Sequence, residues 1–108
     1  MPGKFELFQR PAGFYFRLKA ATGELLLASE GFMSKASAEN GIAAVRMNAP
    51  IDRRYERRRS PAGYSFVLKG GGGEPIGHGE VYADPAGREG GIESVKANAP
   101  RAAVEDLT

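Results

Sequence analysis

The sequence predicts an α+β domain: one antiparallel sheet with two helices on the same face, its halves related by a pseudo-twofold axis. Three observations predict it. GIAAVRMNAP at residues 41–50 returns as GIESVKANAP at residues 91–100, and laying 5–50 on 55–100 without a gap matches 18 of 46 positions, the mark of a tandem duplication. Each repeat opens with segments of period-two hydrophobicity and closes with a segment of helical period. At 108 residues the chain can bury one modest core but not two. The repeats, about 1–54 and 55–108, are therefore expected to form a single domain.

Phe5 to Gln9 reads as a short strand. The Pro11-Ala12-Gly13 break then hands the chain to FYFRLK, Phe14 to Lys19, whose alternation fits a half-buried strand with Phe14, Phe16 and Leu18 facing the core. Thr22-Gly23 makes a tight turn into a third strand, Glu24 to Glu30, carrying Leu25, Leu26 and Leu27. Ser34 stands where a helix N-cap belongs, its hydroxyl placed to accept a first-turn N–H. The helix is expected from Lys35 to about Asn48, with Ala38, Ile42 and Val45 on its buried stripe. Burying Ile42 and Val45 should contribute roughly 1.5–3 kcal/mol each, more than the ~1 kcal/mol that Gly41 costs in mid-helix. Gly41 is expected to allow close approach of helix and sheet. Asn48-Ala49-Pro50 ends the helix, because proline disfavours the helical region for the residue before it.

The second repeat follows the same plan: strands at Tyr55 to Arg59, Tyr64 to Lys69 and Glu74 to Tyr82, with a broad turn at Gly70 to Gly73. Pro75 lacks an N–H and belongs at the start of its strand or on an edge. Asp84-Pro85 pairs a capping acid with a proline at the first helical position, and Ile92 and Val95 repeat the apolar stripe. Arg101 to Thr108 holds enough apolar content for one short edge strand.

Composition narrows function by exclusion. The chain has no cysteine and one histidine, so a zinc site of three or four nitrogen and sulfur ligands cannot be assembled, and neither a metal nor a cofactor is expected. The absence of cysteine gives no sign of an oxidising compartment. The N-terminus lacks the apolar run of a signal peptide, and no stretch approaches the roughly 20 apolar residues of a membrane span. A cytoplasmic protein with no membrane partner is the expectation. Formal charge is +2, but residues 52–59, DRRYERRR, hold five arginines against Asp52 and Glu56, so the basicity is local.

These motifs resemble those of the YegP-like family of small bacterial proteins of unknown function. The carriers in repeat one are Phe16-Arg17-Leu18-Lys19-Ala20, Gly23-Glu24, Ser29-Glu30-Gly31, Ser34-Lys35, and Glu39-Asn40-Gly41-Ile42 through Asn48-Ala49-Pro50. Repeat two departs at Gly70 to Gly72, at His78 to Val81 and at Asp84-Pro85. The resemblance implies two β3-α-β units fused into one sheet with their C-terminal strands exchanged, and a monomer in place of a dimer of single repeats.

No residues are expected to be catalytic. His78 has Ala28 as its repeat-one counterpart and reads as a surface histidine. Glu39 with Glu89, and Glu30 with Glu80, are carboxylates in both copies that could pair for acid–base work, but charged helix faces and strand ends account for them. Gly70 to Gly73 is not followed by the Gly-Lys-Ser/Thr or the helix that a phosphate loop requires. Two candidate binding elements remain. Ser34-Lys35 places a cation at a helix N-terminus, where an anion could sit. Arg53, Tyr55, Arg57 and Arg59 would share one face of an extended strand, offering guanidiniums for phosphates and an aromatic for stacking. Because arginines are expensive to bury unpaired, that face is expected to be the one the helices leave open. The function expected is thus a non-catalytic binding or interaction domain using the open sheet face for a protein partner, with weak nucleic-acid or anion binding through the arginine strand as the alternative and an enzyme as the third class.

Overall fold

The computed structural model describes residues 3–108, so Met1 and Pro2, counted in the first repeat's expected span, lie outside the described residues. The strands are β1 (Lys4–Arg10), β2 (Gly13–Lys19), β3 (Leu25–Ala28), β4 (Tyr55–Ser60), β5 (Gly63–Lys69), β6 (Pro75–His78) and β7 (Ala103–Asp106). The helices are α1 (Lys35–Asn48) and α2 (Pro85–Asn98), each followed by a short 3-10 turn, Asp52–Arg54 and Ala99–Arg101. All seven strands form one sheet in the order β4-β5-β6-β3-β2-β1-β7. At its centre β3 pairs antiparallel with β6 through Ala28 opposite His78. These two residues are fifty apart and equivalent in the duplication, so the pseudo-twofold axis passes between them.

Period-two alternation decides which side of each strand meets the helices. Phe5, Leu7, Phe16, Leu18, Tyr55, Phe66 and Leu68 are buried on one face, and Ile42, Val45, Ile92 and Val95 close over them as a single core. α1 lies over β2 and reaches β6, while α2 lies over β5 and reaches β3, so each helix straddles the junction and ties the repeats together. Both caps form as the sequence predicts: Ser34 accepts from Ser37 N–H at 3.1 Å and Asp84 from Gly87 N–H at 2.7 Å. Gly41 permits the close approach expected of it, since a Cβ there would lie 2.8 Å from the rings of Phe16 and Phe32. The Gly70 to Gly73 stretch forms the same tight turn as Ala20 to Gly23, with Gly73 at φ +87° matching Gly23 at +92°.

Three features depart from the sequence reading. The third strands are shorter than expected, Leu25–Ala28 and Pro75–His78, and the chain then returns only through the single bridges of Phe14 with Phe32 and Tyr64 with Tyr82. In repeat one the Ser29 N–H still donates to Phe16 O at 3.0 Å while the Ser29 hydroxyl takes the Phe16 N–H at 2.9 Å, so a side chain completes the last backbone pair there. The sheet is mixed, because β7 runs parallel to β1. The reason lies at the helix ends: Asn98, closing α2, accepts the N–H of Gly3 at 2.7 Å, so the chain leaves α2 where β1 begins and must run alongside it. The third departure concerns the face that carries the arginines and is described with the site.

Of the exchange that the resemblance implies, the structure has one strand. α2 feeds β7, which pairs with β1 of the first repeat, while α1 leads into β4, the first strand of the second repeat, which pairs with β5 of that same repeat. The asparagine that ends each helix explains why Asn-Ala-Pro occurs twice. Asn48 and Asn98 each donate to the carbonyl four residues back, at 2.8 Å, and their own oxygens receive Arg54 Nε and Gly3 N–H respectively.

Candidate functional site

The six residues singled out from sequence do not converge. Ser34 and Lys35 lie at the β7 end of the sheet, where Ser34 caps α1 and Lys35 pairs with Asp106 of β7 at 2.5 Å. The cation expected to await an anion already holds one from this chain, and that carboxyl is driven far below its ordinary range by Lys35 and by hydrogen bonds from Thr108. Arg53, Tyr55, Arg57 and Arg59 lie at the opposite edge, and Arg53 belongs to the 3-10 turn rather than to the strand.

The expectation that the Tyr55, Arg57 and Arg59 face is the open one is overturned. Tyr55 is only 5% exposed, stands edge-on to Phe66 with ring centroids 5.8 Å apart, and donates its hydroxyl to Ala49 O at 2.7 Å. Burial raises its pKa well above the usual phenol range, and it cannot stack on a base. Arg57 follows it two residues on and turns toward α2, where it donates to both oxygens of Glu89 at 2.9–3.0 Å and to Asp52 at 3.0 Å. Glu89 and Asp52 raise the Arg57 pKa; Arg57 in turn lowers that of Glu89, and Lys96, then Arg57, lower that of Asp52. Arg59 lies over the Tyr64 ring at 5.6 Å. The cost of burial that argued for an open face applies to unpaired arginines, and at the sheet edge Arg57 is both paired and partly solvated. Tyr55, the counterpart of core residue Phe5, fixed the parity.

The open face carries the other set of side chains. One row crosses the whole sheet as Glu56, Val67, His78, Ala28, Arg17, Glu6 and Glu105. Glu6 accepts Arg17 Nε at 2.6 Å and lies 3.3 Å from Lys19 Nζ, and these two cations hold its carboxyl below the ordinary 4.5. Its counterpart Glu56 is lowered in the same way, by Lys69 and then Arg58. A Glu–Lys pair is thus kept in both copies.

The halves differ in what surrounds that pair. In repeat one Phe8 and Tyr15 stack with centroids 5.7 Å apart and planes at 17°. The Arg17 guanidinium lies over the Phe8 ring at 4.4 Å and Arg10 over the same ring at 4.8 Å. In repeat two the equivalent positions are Arg58, Ser65 and Val67, and the face opens into a groove of about 410 Å³ floored by Val67 and Ile76 and edged by Glu30, Arg58 and His78. The sequence reading passed over Phe8, Tyr15 and Arg17. The signal was present in the alternation itself, since residues out of phase with Phe5, Leu7, Phe14 and Phe16 must face away from the helices.

His78 Nδ1 lies 4.0 Å from Glu30 Oε1, and both side chains are well exposed. Glu89 is committed to Arg57 and Arg88. Among the described residues no group of three His, Asp or Glu side chains could hold a metal ion. No helix among them is long and apolar enough to cross a membrane.

Comparison with known proteins agrees with the duplicated architecture. The model of a family described as Domain of unknown function (DUF1508) matches the chain twice, at residues 12–56 and 62–106. The chain is 51% identical over 59 residues to the UPF0339 protein YegP of Escherichia coli K12, covering 54% of each chain. It is 51% identical over 59 residues to the UPF0339 protein in the ptx operon 5' region of Stutzerimonas stutzeri, covering 54% of this chain and 53% of that one. In these matches the chain spans about half the length of the curated relatives. Superposition reaches further. The solution NMR structure of yegP from E. coli, a protein of unknown function, matches with a TM-score of 0.94 at 45% identity over 100% of this chain and 95% of that one. A UPF0339 protein from Shewanella oneidensis gives 0.93 at 37% identity over 100% and 93%. With both repeats matched, the chain belongs to the DUF1508 family of bacterial domains.

Proposed function

We propose that this protein is a non-catalytic interaction module that docks a partner protein on the open face of its sheet, with Phe8 and Tyr15 as the anchor. The observation that carries the reading is the stacked, half-buried Phe8–Tyr15 pair with two guanidiniums over it, on the face that no helix covers. Aromatic residues and arginine are the side chains that most often dominate protein interfaces. Phosphate recognition is the weaker use of this face, because Glu6 and Glu56 already engage four of its cations and counterion release needs cations free to meet phosphates. The module acts as a monomer, since one chain supplies both halves of the sheet. The lack of cysteine fits a cytoplasmic setting.

The test compares wild type with a Phe8→Ser/Tyr15→Ser variant whose folding is checked by its melting curve, each immobilised and exposed to nuclease-treated bacterial lysate. Wild type should retain one or a few proteins that the variant loses. Identical retention by both would overturn the reading, and retention that disappears on nuclease treatment would transfer the face to nucleic acid.

A further inference from the structure

The two edges of the sheet are built from equivalent strands, and only one of them is covered. On the outer side of β1 lies β7, in parallel register with Lys4 opposite Ala103, Phe5 opposite Val104, Glu6 opposite Glu105 and Leu7 opposite Asp106. Leu107 N–H donates to Leu7 O at 2.7 Å, so the Leu7 peptide carbonyl faces outward. Peptide groups alternate inward and outward along a strand, and the counterparts of Phe5 and Leu7 in β4 are Tyr55 and Arg57. The outward groups of β4 at Arg57 and Arg59 therefore face the side on which the sheet order ends.

The pairing of β7 on β1 also shows what chemistry such a strand uses here. Its acids are met by cations from the first repeat, Glu105 by Lys4 at 3.0 Å and Asp106 by Lys35. The β4 edge is richer in cations: Arg53, Arg54, Arg57, Arg58 and Arg59 lie along seven consecutive residues, and Arg53, Arg54 and Arg59 have no carboxylate partner among the described residues. A second β4 placed on this edge would set arginine against arginine, so the edge rejects a copy of itself, as charged edge strands do. An acidic strand meets like charge on β4 only at Glu56, which Lys69 and Arg58 already pair.

We propose that the outer edge of β4 is a strand-addition site for an extended acidic segment of a partner protein, running parallel to β4 as β7 runs parallel to β1. Backbone hydrogen bonds to Arg57 and Arg59 supply the register, which is the general mode of strand addition to an open sheet edge. In the register that β7 takes on β1, the two acids fall beside Arg54, the counterpart of the Lys4 that meets Glu105, and opposite Arg57 within reach of Arg59, while an apolar side chain lies beside Tyr55. Together these supply the preference. This site is separate from the open face, and its success or failure leaves the Phe8–Tyr15 reading untouched.

The probe is a synthetic peptide of this chain's own residues 102–108, AAVEDLT, added to the intact ¹⁵N-labelled protein. Saturating peptide should slow hydrogen exchange of the Arg57 and Arg59 amides by roughly tenfold or more and leave Phe5 and Leu7 unchanged. N-methylation of the peptide at its Glu105 and Leu107 positions should abolish that protection, and replacing Glu105 and Asp106 in the peptide by lysine should do the same. An Arg54→Glu/Arg59→Glu protein should bind at least roughly tenfold more weakly, as charge reversal at a contact of this kind predicts. Three results would overturn the proposal: no binding, equal binding of the N-methylated peptide, or changes at Phe5 and Leu7, which would mean that the peptide had displaced β7.

Discussion

At one end of the sheet β1 is an interior strand, with Phe5 and Leu7 sealed under α1 and β7 laid along its flank; at the other end β4 is the boundary, with Arg57 and Arg58 where β1 has Leu7 and Phe8. Both strands descend from one ancestral segment, and both begin the same way, with an aromatic residue packed against the phenylalanine of the next strand, Phe5 on Phe16 and Tyr55 on Phe66. They diverge only past that point, where β1 is covered and β4 meets water. The difference teaches that identical topology does not impose identical chemistry. What a position tolerates depends on its neighbours on the far side, and the duplication allows each half to serve as the control for the other.

Exchanging equivalent residues between the edges gives the largest contrast. Leu7 is fully buried, so Leu7→Arg places a charge without a partner in the core and should cost at least about 3–5 kcal/mol, enough to unfold much of the protein. Arg57→Leu removes partly exposed ion pairs to Glu89 and Asp52 and should cost no more than about 1 kcal/mol. Urea denaturation of both variants checks the pair, and equal losses would break the comparison.

Removing β7 should make the first edge resemble the second. Truncation after Ala102 deletes the parallel ladder and exposes the outward groups of Phe5 and Leu7, with an expected loss of about 2–4 kcal/mol from a few net hydrogen bonds. Because the newly bared edge lacks the arginines of β4, the truncated protein should also self-associate. Sedimentation alongside the melting curve measures both effects, and a monomer with wild-type melting would show that β7 contributes nothing.

Acid should loosen both edges. Glu89 and Asp52 at the β4 edge and Asp106 at the β7 edge are held below their ordinary values of 4.5, 3.8 and 3.8 by hydrogen-bonded cations. A carboxylate whose folded pKa lies below its unfolded one adds stability that is complete above the unfolded value and is lost as the pH falls through the folded one. Melting temperature should therefore hold level at neutral pH and fall once the pH drops below about 4.5. Glu89→Gln should lower the neutral plateau and flatten the acid limb, and an unchanged acid limb would remove the β4 pair from the account.

The smallest effect is expected at Tyr82, whose hydroxyl is buried without a partner among the described residues and whose pKa burial raises. Its repeat-one counterpart is Phe32. Tyr82→Phe discards an unsatisfied polar atom and should stabilise the protein by up to about 1 kcal/mol; destabilisation would mean that the hydroxyl has a role the packing does not show.

The sequence by itself determined the duplication, the element order, both helix caps and the buried stripe, because these rest on local rules. A proline has no N–H with which to extend a helix, a serine or aspartate completes a first turn, and Ala38, Ile42 and Val45 share a stripe whatever they pack against. It also contained, in the phase of FYFRLK against FELF, the fact that Tyr15, Arg17 and Phe8 face away from the helices. Only the tertiary structure decided that β7 runs parallel to β1, since that depends on where α2 releases the chain, and that Lys35 is spent on Asp106, residues 71 positions apart. It alone settled the arginine face too. Alternation placed Arg53, Tyr55, Arg57 and Arg59 together, but that this side meets α2 showed only in the fold, where Glu89, thirty-two residues away, reaches down to pair with the still-exposed Arg57. Charge pairing across a fold is long-range, and no local pattern in a sequence records it.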